Sequence, residues 1–434
     1  MKIAHILNNF LPNHIAGTEV YAFNLGKELT ARGHEIIFII PNYYQTENEE
    51  YQVEGMRVIK YAEPSVVDRA LKMGKRKPDG LKNFVEILRE EKPDVVHFHE
   101  LAGSNGIGLY HVQAAKELGF KTVMTFHLAR YTAIDPSGND FDDIFYNKRG
   151  SFNFYHQKGI NLVSSRFFYL LSTVLKLLKM DAAPIGKLGT ALSVPLLVAK
   201  RKDFFLSLMN SCDAVVAISK WYFDVLRKLP IPQPKLHFVE QGIEMRESIN
   251  AHQINNADKL NLVFIGRISH FKGVQQLVET ICKWKGVHLY LYGDSGEDKS
   301  YIDHCKQLIS ASPNMDYKGA LNPSDVVKVI SQYNLLILPS TIHEMSPLVI
   351  REAFAAGIPV LASDSMGARE QVTDGVNGWL FKMNDWNDLK GKIECLISHP
   401  EAIVEAKKHL PPVRTFKDVA KDYDVLYHEI MQKN

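Results

Sequence analysis

Residues 3–40 read IAHILNNFLPNHIAGTEVYAFNLGKELTARGHEIIFII and place two short apolar runs, Ile3–Leu7 and Glu35–Ile40, on either side of a segment with helical spacing. Three apolar residues of that segment share one helical face, namely Ala22, Leu25 and Leu29. Gly33 is suited to ending the helix. Neither run alternates with polar residues, which is typical of strands buried on both faces of a parallel sheet. The stretch therefore predicts a β-α-β unit.

The same alternation of short apolar runs and helical segments continues along the chain. It recurs at 94–99, 121–127, 213–218, 260–265, 287–292, 335–338 and 359–362. We predict an α/β protein with two doubly wound, Rossmann-like parallel-sheet domains, over 1–243 and 259–415, joined by a polar linker. Ligands of such sheets bind beyond the carboxyl ends of the strands, so the expected site is a central cleft that the two domains face.

The composition is that of a globular protein, with 46% hydrophobic and 23% charged residues. A formal net charge of +2 argues against a dedicated nucleic-acid binder. The four cysteines form no CxxC pair, which predicts free thiols in a reducing compartment and no zinc site. The first apolar run is too short for a secretory signal, and no uncharged apolar stretch is long enough to span a membrane. We therefore expect a cytoplasmic protein.

Residues 135–210 do not show this alternation of short apolar runs and helical segments. A connection of this length is expected to have structure or function of its own. Residues 167–180, FFYLLSTVLKLLKM, combine leucine and aromatic side chains with two lysines. One interpretation is an element across 160–202 that lies on an anionic membrane surface, which makes the protein peripherally membrane-associated. The other is a helical lid that packs on its own domain. The sequence leaves both open.

The segment 343–357, HEMSPLVIREAFAAG, specifies a helix at both ends. Ser346 is suited to the N-cap, Pro347 to the first helical position and Gly357 to the left-handed residue after the helix. The start of such a helix has unpaired N–H groups and a partial positive charge, which bind phosphates readily. The segment therefore predicts a phosphate-binding helix end.

Charged residues accompany this helix and the loop that follows strand 260–265. Glu344 precedes the helix and Glu352 lies within it, and carboxylates accept hydrogen bonds from sugar and ribose hydroxyls. Arg267 and Lys272 belong to the loop GRISHFKG at 266–273 and suit a diphosphate that no metal neutralises. The alternative is that these carboxylates and cations are solvated surface groups.

Two residues of the N-terminal domain are also candidates. Gly17 follows the first strand, where a glycine lets the backbone approach a phosphate or a sugar, although the G-x-G-x-x-G fingerprint of dinucleotide binding is missing. His127 ends strand 121–127 and is expected either to contact the transferred sugar or the acceptor, or to be a structural histidine.

Two further groups resemble metal ligands. His97 and His99 share one face of a strand and could meet at an ion, but no third ligand is evident nearby. The run DFDD at 140–143 lies in the irregular insertion rather than at the end of a strand. We therefore predict no metal site.

Several of these features occur together in one pattern: Gly17, the loop 266–273, Glu344 with Glu352, AFAAGIPV at 353–360 and DGVNGWLF at 374–381. The combination resembles the family 4 retaining glycosyltransferases, which have the GT-B fold. The resemblance covers most of 1–130 and 210–430, whereas 135–210 has no counterpart. Ala16 stands where many members have a second glycine, and Gln241 where asparagine is usual. These departures put the acceptor in doubt.

The resemblance implies a role for each candidate residue. Arg267 and Lys272 would hold the donor diphosphate, and Glu352 the nucleotide ribose. Glu344 would contact the transferred sugar together with the backbone of four residues, Met345, Ser346, Pro347 and Leu348. Gly17 and His127 would lie near the phosphate or the sugar. A C-terminal helix within 416–434 would return to the N-terminal domain.

The function so implied is that of a retaining, metal-independent, hexosyltransferase-like enzyme without a cofactor. Its donor would be a UDP-sugar or a GDP-sugar, and its acceptor a glycan or a lipid-linked molecule in polysaccharide or glycoconjugate synthesis. Two alternatives remain: a nucleotide-sugar epimerase of similar two-domain shape, and a non-catalytic sugar-binding protein.

Overall fold

The structure is a computed structural model that describes residues 1–68, 71, 76–101, 105–128, 152, 155, 159–182, 185–244, 259–282, 284–293 and 298–433. The chain divides into two compact units, each with its own sheet. Unit 1 comprises residues 1–240 and 419–434, and unit 2 comprises residues 241–418. Most of the predicted linker, 245–258, and the DFDD run at 140–143 lie outside the described residues.

Among its described residues, unit 1 contains eight strands: β1 (Lys2–Ile6), β2 (Glu35–Tyr43), β3 (Glu49–Val53), β4 (Met56–Glu63), β5 (Val95–His99), β6 (Lys121–Phe126), β7 (Ala214–Ala217) and β8 (Leu236–Phe238). Their order across the sheet is β3-β4-β2-β1-β5-β6-β7-β8. All neighbours pair in parallel except β3 and β4. The five strands predicted from apolar runs correspond to β1, β2, β5, β6 and β7.

The predicted β-α-β unit is confirmed at the start of the chain. Helix α1 (Gly17–Ala31) joins β1 to β2, and these strands pair with Ile3 opposite Ile36. The three apolar residues expected on its inner face are fully buried. Gly33 has a φ of 88°, in the left-handed region that glycine adopts without strain, and so ends the helix as expected.

The hairpin of β3 and β4 differs from the prediction of wholly parallel sheets. Glu54 and Gly55 join the two strands with φ values of 45° and 82°, as in a two-residue hairpin turn. The sequence of β3, EEYQV, contains no apolar run, and its side chains are exposed or half-buried. An edge strand needs no apolar residues on both faces, so the apolar pattern does not reveal it.

The described part of unit 1 also contains five further α-helices: α2 (Leu81–Glu91), α3 (Leu109–Glu117), α4 (Leu162–Leu177), α5 (Lys187–Ser211) and α6 (Lys220–Leu226). Helices α4 and α5 lie in the predicted insertion. Tyr155 is buried between them and donates a hydrogen bond to the carbonyl oxygen of Ala191 at 2.8 Å. Among the described residues, no helix combines the length and the apolar character needed to cross a membrane.

In the part of unit 2 that the structure describes there are six strands: β9 (Leu260–Ile265), β10 (Val287–Tyr292), β11 (Met315–Gly319), β12 (Leu335–Leu338), β13 (Val360–Ser363) and β14 (Gly378–Phe381). Their order is β11-β10-β9-β12-β13-β14, and all pairs are parallel. Seven α-helices accompany them in the same described residues: α7 (Val274–Ile281), α8 (Lys299–Ser310), α9 (Val326–Ile330), α10 (Leu348–Ala355), α11 (Met366–Arg369), α12 (Trp386–Ser398) and α13 (Glu401–Lys407).

The sheet of unit 2 is buried on both faces. Along β9, Leu262 and Phe264 belong to one apolar cluster, and Val263 between them belongs to another. Successive side chains of a strand point to opposite faces, so both faces of this strand need apolar residues. This is why the strand reads as a continuous apolar run in the sequence.

The last helix, α14 (Phe416–Gln432), packs against unit 1 from residue 419 onward. His34 Nε2 lies 3.0 Å from Asp424 Oδ1, and His97 Nδ1 lies 2.7 Å from the hydroxyl oxygen of Tyr427. Residues from the C-terminal end of the chain therefore complete the first unit. Cys212, Cys282, Cys305 and Cys395 are free thiols.

Candidate functional site

The loops that follow β9 and β12 are in close contact at the carboxyl edge of the unit 2 sheet. Gly273 has a φ of 64°, and a Cβ atom there would overlap the carbonyl oxygen of Pro339. The backbone N–H of Thr341 donates to the carbonyl oxygen of Phe271 at 2.9 Å. A glycine at 273 is therefore needed for the loop of Lys272 to reach the end of β12.

This packing places two predicted site residues in direct contact. Lys272 Nζ lies 2.6 Å from Glu344 Oε2, with side chains 22% and 15% exposed. The hydroxyl of Ser340 donates to the other carboxylate oxygen of Glu344. The carboxylate is thus fixed on two sides, while the ammonium has further N–H donors available for another oxygen.

The loop before α10 is held from the other side by α11. A Cβ atom at Gly367 would overlap the carbonyl oxygen of Glu344, and the N–H of Met366 donates to His343 Nδ1 at 3.1 Å. The side chain of Met345 is buried. The loop 343–346 is therefore anchored by contacts that the sequence motif alone did not identify.

The start of α10 corrects one prediction. Pro347, and not Ser346, occupies the N-cap, and the helix begins at Leu348 without a side-chain cap. The ψ angle of 113° at Pro347 is extended, so the helical turn starts one residue later than predicted. Pro347 itself has no N–H to offer. Gly357 follows the helix with a φ of 75°, as predicted.

Glu352 is the fifth residue of α10, and it is half-buried. Burial raises the pKa of its carboxyl group to about 7. This carboxyl is therefore close to half-ionised at neutral pH, and a ligand that donates hydrogen bonds to it favours the ionised form.

Arg267 lies in the loop after β9, with an exposed guanidinium that makes no ion pair with a described residue. A Cβ atom at Gly293, which follows β10, would overlap the carbonyl oxygen of Gly266. The backbones beyond β9 and β10 are therefore in contact beside Arg267. Eight predicted site residues thus follow two neighbouring strands of unit 2: Arg267 and Lys272 lie in the loop after β9, Glu344, Met345, Ser346 and Pro347 lie in the loop after β12, and Leu348 and Glu352 lie in α10.

The other two predicted site residues belong to unit 1. Gly17 is the exposed first residue of α1, and a Cβ atom there would meet no protein atom within 4 Å. No contact within the described chain therefore requires a glycine at this position. His127 follows β6 and is buried, and this burial lowers the pKa of its imidazole to about 3.

Glu100 is a residue that sequence reasoning missed. It has a φ of 64°, and its carboxylate accepts hydrogen bonds from the backbone N–H groups of His127 and Leu128 at 2.9 and 2.8 Å. It therefore fixes the chain beyond β6 by bonds that reach from the end of β5. Its signal was the sequence HFHE at 97–100, which the sequence reasoning interpreted only as a possible group of metal ligands.

His5 is a second missed residue, and it corrects the argument used against a metal. The statement that no third ligand lies near His97 and His99 is wrong, since ring nitrogens of all three lie within 4.8 Å of one another. The partner could not be seen in the sequence because β1 and β5 are far apart in the chain but adjacent in the sheet.

Two family models match consecutive parts of the chain. The model described as Glycosyltransferase Family 4 matches residues 15–171, and the model described as Glycosyl transferases group 1 matches residues 245–409. An uncharacterized glycosyltransferase of Methanocaldococcus jannaschii is 24% identical over 100% of this chain and 99% of its own. A GDP-mannose-dependent alpha-mannosyltransferase of Corynebacterium glutamicum is 22% identical over 94% of this chain and 82% of its own.

Solved structures share the same architecture. Anabaena HepE, crystallised in complex with UDP and glucose, is 13% identical and superposes with a TM-score of 0.62, covering 99% of this chain and 100% of its own. The chain has the GT-B fold, with one α/β sheet in each unit, and it is an enzyme whose activity is glycosyl transfer in glycan synthesis. Over residues 15–171 and 245–409, the chain is similar to glycosyltransferases of family 4 and group 1.

Proposed function

We propose that the enzyme takes its sugar from a nucleoside diphosphate sugar that binds at the carboxyl edge of the unit 2 sheet. The observation that carries this proposal is the contact of Lys272 with Glu344, which fixes a cation and a carboxylate beside the start of α10. Arg267 adds an exposed guanidinium whose fork matches two phosphate oxygens. Two cations suit a diphosphate leaving group, because its charge must be stabilised as the bond to the sugar breaks.

The carboxylates of this edge would bind the hydroxyl groups of the donor. Glu344 accepts hydrogen bonds from the transferred sugar, and Glu352 accepts them from the nucleotide ribose. The uncapped start of α10 offers the N–H of Leu348 in the same region. For Gly17 and His127 of unit 1, a role in ligand binding is proposed from the family resemblance alone.

The reaction we propose retains the configuration of the sugar. The oxygen of the acceptor hydroxyl forms a bond to the anomeric carbon on the face from which the diphosphate leaves. The bond between that carbon and the diphosphate oxygen breaks, and this oxygen takes the proton of the acceptor hydroxyl. Lys272 and Arg267 balance the developing negative charge, so the mechanism needs no metal ion.

The nucleotide is proposed to be uridine or guanosine diphosphate. The solved relative from Anabaena was crystallised with UDP, and the relative from Corynebacterium is named for GDP-mannose. A panel of UDP-, GDP- and ADP-sugars, tested by thermal shift with EDTA present, identifies the donor because the ligand that binds the native state raises its melting temperature.

The product decides whether the proposed reaction takes place. We expect the identified donor to transfer its sugar in EDTA and to give the anomer that retains the donor configuration, as read by NMR. An inverted product, or activity that is lost in EDTA and returns with magnesium, would overturn the mechanism. Incubation of the donor without acceptor separates transfer from epimerisation, since only an epimerase changes the donor alone.

The acceptor is proposed to be lipid-linked and to be met at an anionic membrane surface. Seven apolar residues form a stripe along one side of α4 and include the residue that follows the helix. Their side chains are between 41% and 78% exposed: Val163, Phe167, Leu170, Leu171, Val174, Leu177 and Leu178. The opposite face packs on α5, where Phe168 and Tyr169 contact a buried cluster. Soluble proteins seldom expose an apolar stripe of this extent.

The charges around the stripe favour an anionic lipid surface over a protein partner. Arg166, Lys176, Lys179 and Lys187 are exposed beside it, and α4 contains no acidic residue. An apolar stripe bordered by cations is typical of helices that lie in the interface of anionic membranes. The predicted location is therefore the cytoplasmic face of a membrane.

Vesicle sedimentation tests this part of the proposal. We expect the enzyme to bind phosphatidylglycerol vesicles, to bind phosphatidylcholine vesicles weakly, and to lose at least about tenfold in affinity when Phe167, Leu170 and Val174 are all changed to glutamine. Val404→Gln with Val425→Gln changes two equally exposed apolar residues elsewhere and should leave binding unchanged. Equal binding by the triple variant and the native protein would overturn the proposal.

A further inference from the structure

Three imidazoles form a row across neighbouring strands of unit 1 and end at His127. His5 Nδ1 lies 2.8 Å from His99 Nε2, and His99 Nδ1 lies 3.2 Å from His127 Nε2. The rings of His99 and His127 are stacked, with centroids 5.4 Å apart. His5 and His99 are completely buried. Each junction is therefore a hydrogen bond between two buried imidazoles.

Burial makes all three imidazoles neutral. It lowers the pKa of His5 and of His127 to about 3, and it holds the pKa of His99 well below its usual value. A neutral imidazole has one N–H and one lone pair, so a ring that donates at one nitrogen accepts at the other. The three tautomers are consequently linked, and only two arrangements satisfy both junctions.

The two arrangements differ at the ends of the row. In the first, His127 donates inward, and His5 Nε2 must then bear a proton. In the second, His5 donates to His99 and His99 donates to His127, so that His127 bears its proton on Nδ1. His5 Nε2 is buried and has no hydrogen-bond partner among the described residues. Buried N–H groups without an acceptor are rarer than acceptors without a donor, which favours the second arrangement.

We propose that His5 and His99 are positioning residues that hold His127 as the Nδ1–H tautomer, so that His127 offers a hydrogen-bond donor to an oxygen of the bound donor or acceptor. The inference rests on the proposed function in one respect, namely that His127 borders the ligand. Its oxygen partner would be a sugar hydroxyl or a phosphate oxygen, since both accept a hydrogen bond from a neutral imidazole.

The hydrogen bonds of the neighbouring His97 argue against a metal in this cluster. Its Nδ1 lies 2.7 Å from the hydroxyl oxygen of Tyr427, and its Nε2 lies 2.7 Å from Thr125 Oγ1. Both nitrogens of His99 are engaged by His5 and His127. A metal ion bound here would therefore displace hydrogen bonds at two of the three rings.

The native protein alone tests the tautomer. Long-range proton–nitrogen NMR of protein labelled with ¹⁵N-histidine, assigned with His127→Asn, reports which ring nitrogen bears the proton. We expect a protonated Nδ1 and an unprotonated Nε2 at His127. A protonated Nε2, or a stoichiometric metal in the purified enzyme, would overturn the proposal.

His5→Phe tests the role of the row while keeping a ring against Phe38, on which His5 stacks. We expect the His127 nitrogen signals to shift toward the other tautomer and kcat/KM to fall about tenfold, as for one lost hydrogen bond. His111→Phe removes an equally buried imidazole of unit 1 outside the row and should leave the His127 signals unchanged. Unchanged His127 signals in His5→Phe would refute the positioning role.

The outcomes separate this inference from the proposed function. If no donor in the nucleotide-sugar panel is turned over, the proposed function fails, and the spectrum of the native protein still decides the tautomer. If turnover occurs and Nε2 bears the proton, the proposed function stands and the positioning role is refuted.

Discussion

The ammonium of Lys272 lies 2.6 Å from the carboxylate of Glu344, although 72 positions separate the two residues in the chain. The contact links the loop beyond β9 to the loop beyond β12, and these strands are neighbours in the unit 2 sheet. A cation and a carboxylate are thereby fixed at one edge, next to the start of α10. A sugar diphosphate has phosphate oxygens that a cation binds and sugar hydroxyl groups that donate hydrogen bonds to a carboxylate.

Lys272→Ala is expected to lower kcat/KM by about 30- to 1000-fold, equivalent to about 2–4 kcal/mol of barrier. The reason is that the leaving diphosphate loses a fixed positive charge. Steady-state kinetics with the identified donor measures the effect. Lys390→Ala, which removes an exposed lysine of α12, is the control and should have no effect. A Lys272→Ala enzyme within threefold of the native rate would show that the lysine does not bind the diphosphate.

Glu352→Gln is expected to stabilise the protein at pH 8 relative to pH 5. Burial raises the pKa of Glu352 in the folded state to about 7 from its usual value of 4.5. Between these values the folded state binds more protons than the unfolded state, so rising pH lowers the stability of the native protein. The amide does not titrate, and the gain at pH 8 should be about 1–3 kcal/mol.

Urea unfolding of unit 2 at the two pH values measures this gain. Glu394→Gln changes an exposed carboxylate of α12 and serves as the control. An equal stability difference at pH 5 and pH 8 would show that the carboxyl of Glu352 has an ordinary pKa.

Gly273→Ala is expected to destabilise the protein by about 1–3 kcal/mol and to lower activity. Its φ of 64° disfavours a side chain, and the new Cβ would overlap the carbonyl oxygen of Pro339, which pushes Lys272 away from Glu344. Thermal melting and kinetics report the two effects.

Gly391→Ala is the matched control for this substitution. Gly391 lies inside α12, where a Cβ would meet no atom within 4 Å, so alanine should stabilise the helix by up to about 1 kcal/mol. If Gly273→Ala is as stable and as active as Gly391→Ala, the close approach of the two loops is not needed.

The pH–rate profile is expected to show no ionisation of His127 between pH 5 and pH 8. Burial lowers the pKa of its imidazole to about 3, so the ring stays neutral over that range. Profiles of the native enzyme and of His127→Asn should therefore be parallel, with the variant lower throughout. A limb near pH 6.5 that disappears in the variant would show that His127 titrates during catalysis.

Much of the fold follows from the sequence because the strands of both sheets are buried on two faces. β9, β10 and β12 begin and end where their apolar runs do, since Leu262 and Val263 must each meet an apolar layer. The apolar pattern does not predict the hairpin strand β3, because an edge strand has few buried side chains. The helix start at Leu348 also differs from prediction, because the backbone angle of Pro347 sets it locally.

The candidate site likewise contains residues that the sequence predicts and residues that only the structure identifies. Arg267, Lys272, Glu344 and Glu352 were identified from strand ends, helix signals and a family pattern, all of which are local in sequence. The anchors that hold them were not identified: Ser340, His343 and Gly367 act through contacts that have no local signature.

The sequence by itself determined the two parallel sheets and the charged residues at their carboxyl edges, because burial and helix ends leave periodic and local patterns. Only the tertiary structure decided that Lys272 meets Glu344 and that His5 and His99 lead to His127. Those contacts depend on which strands become neighbours, and strand order brings together residues that no pattern along the chain connects. The tautomer of a buried histidine is likewise a property of its neighbours in space.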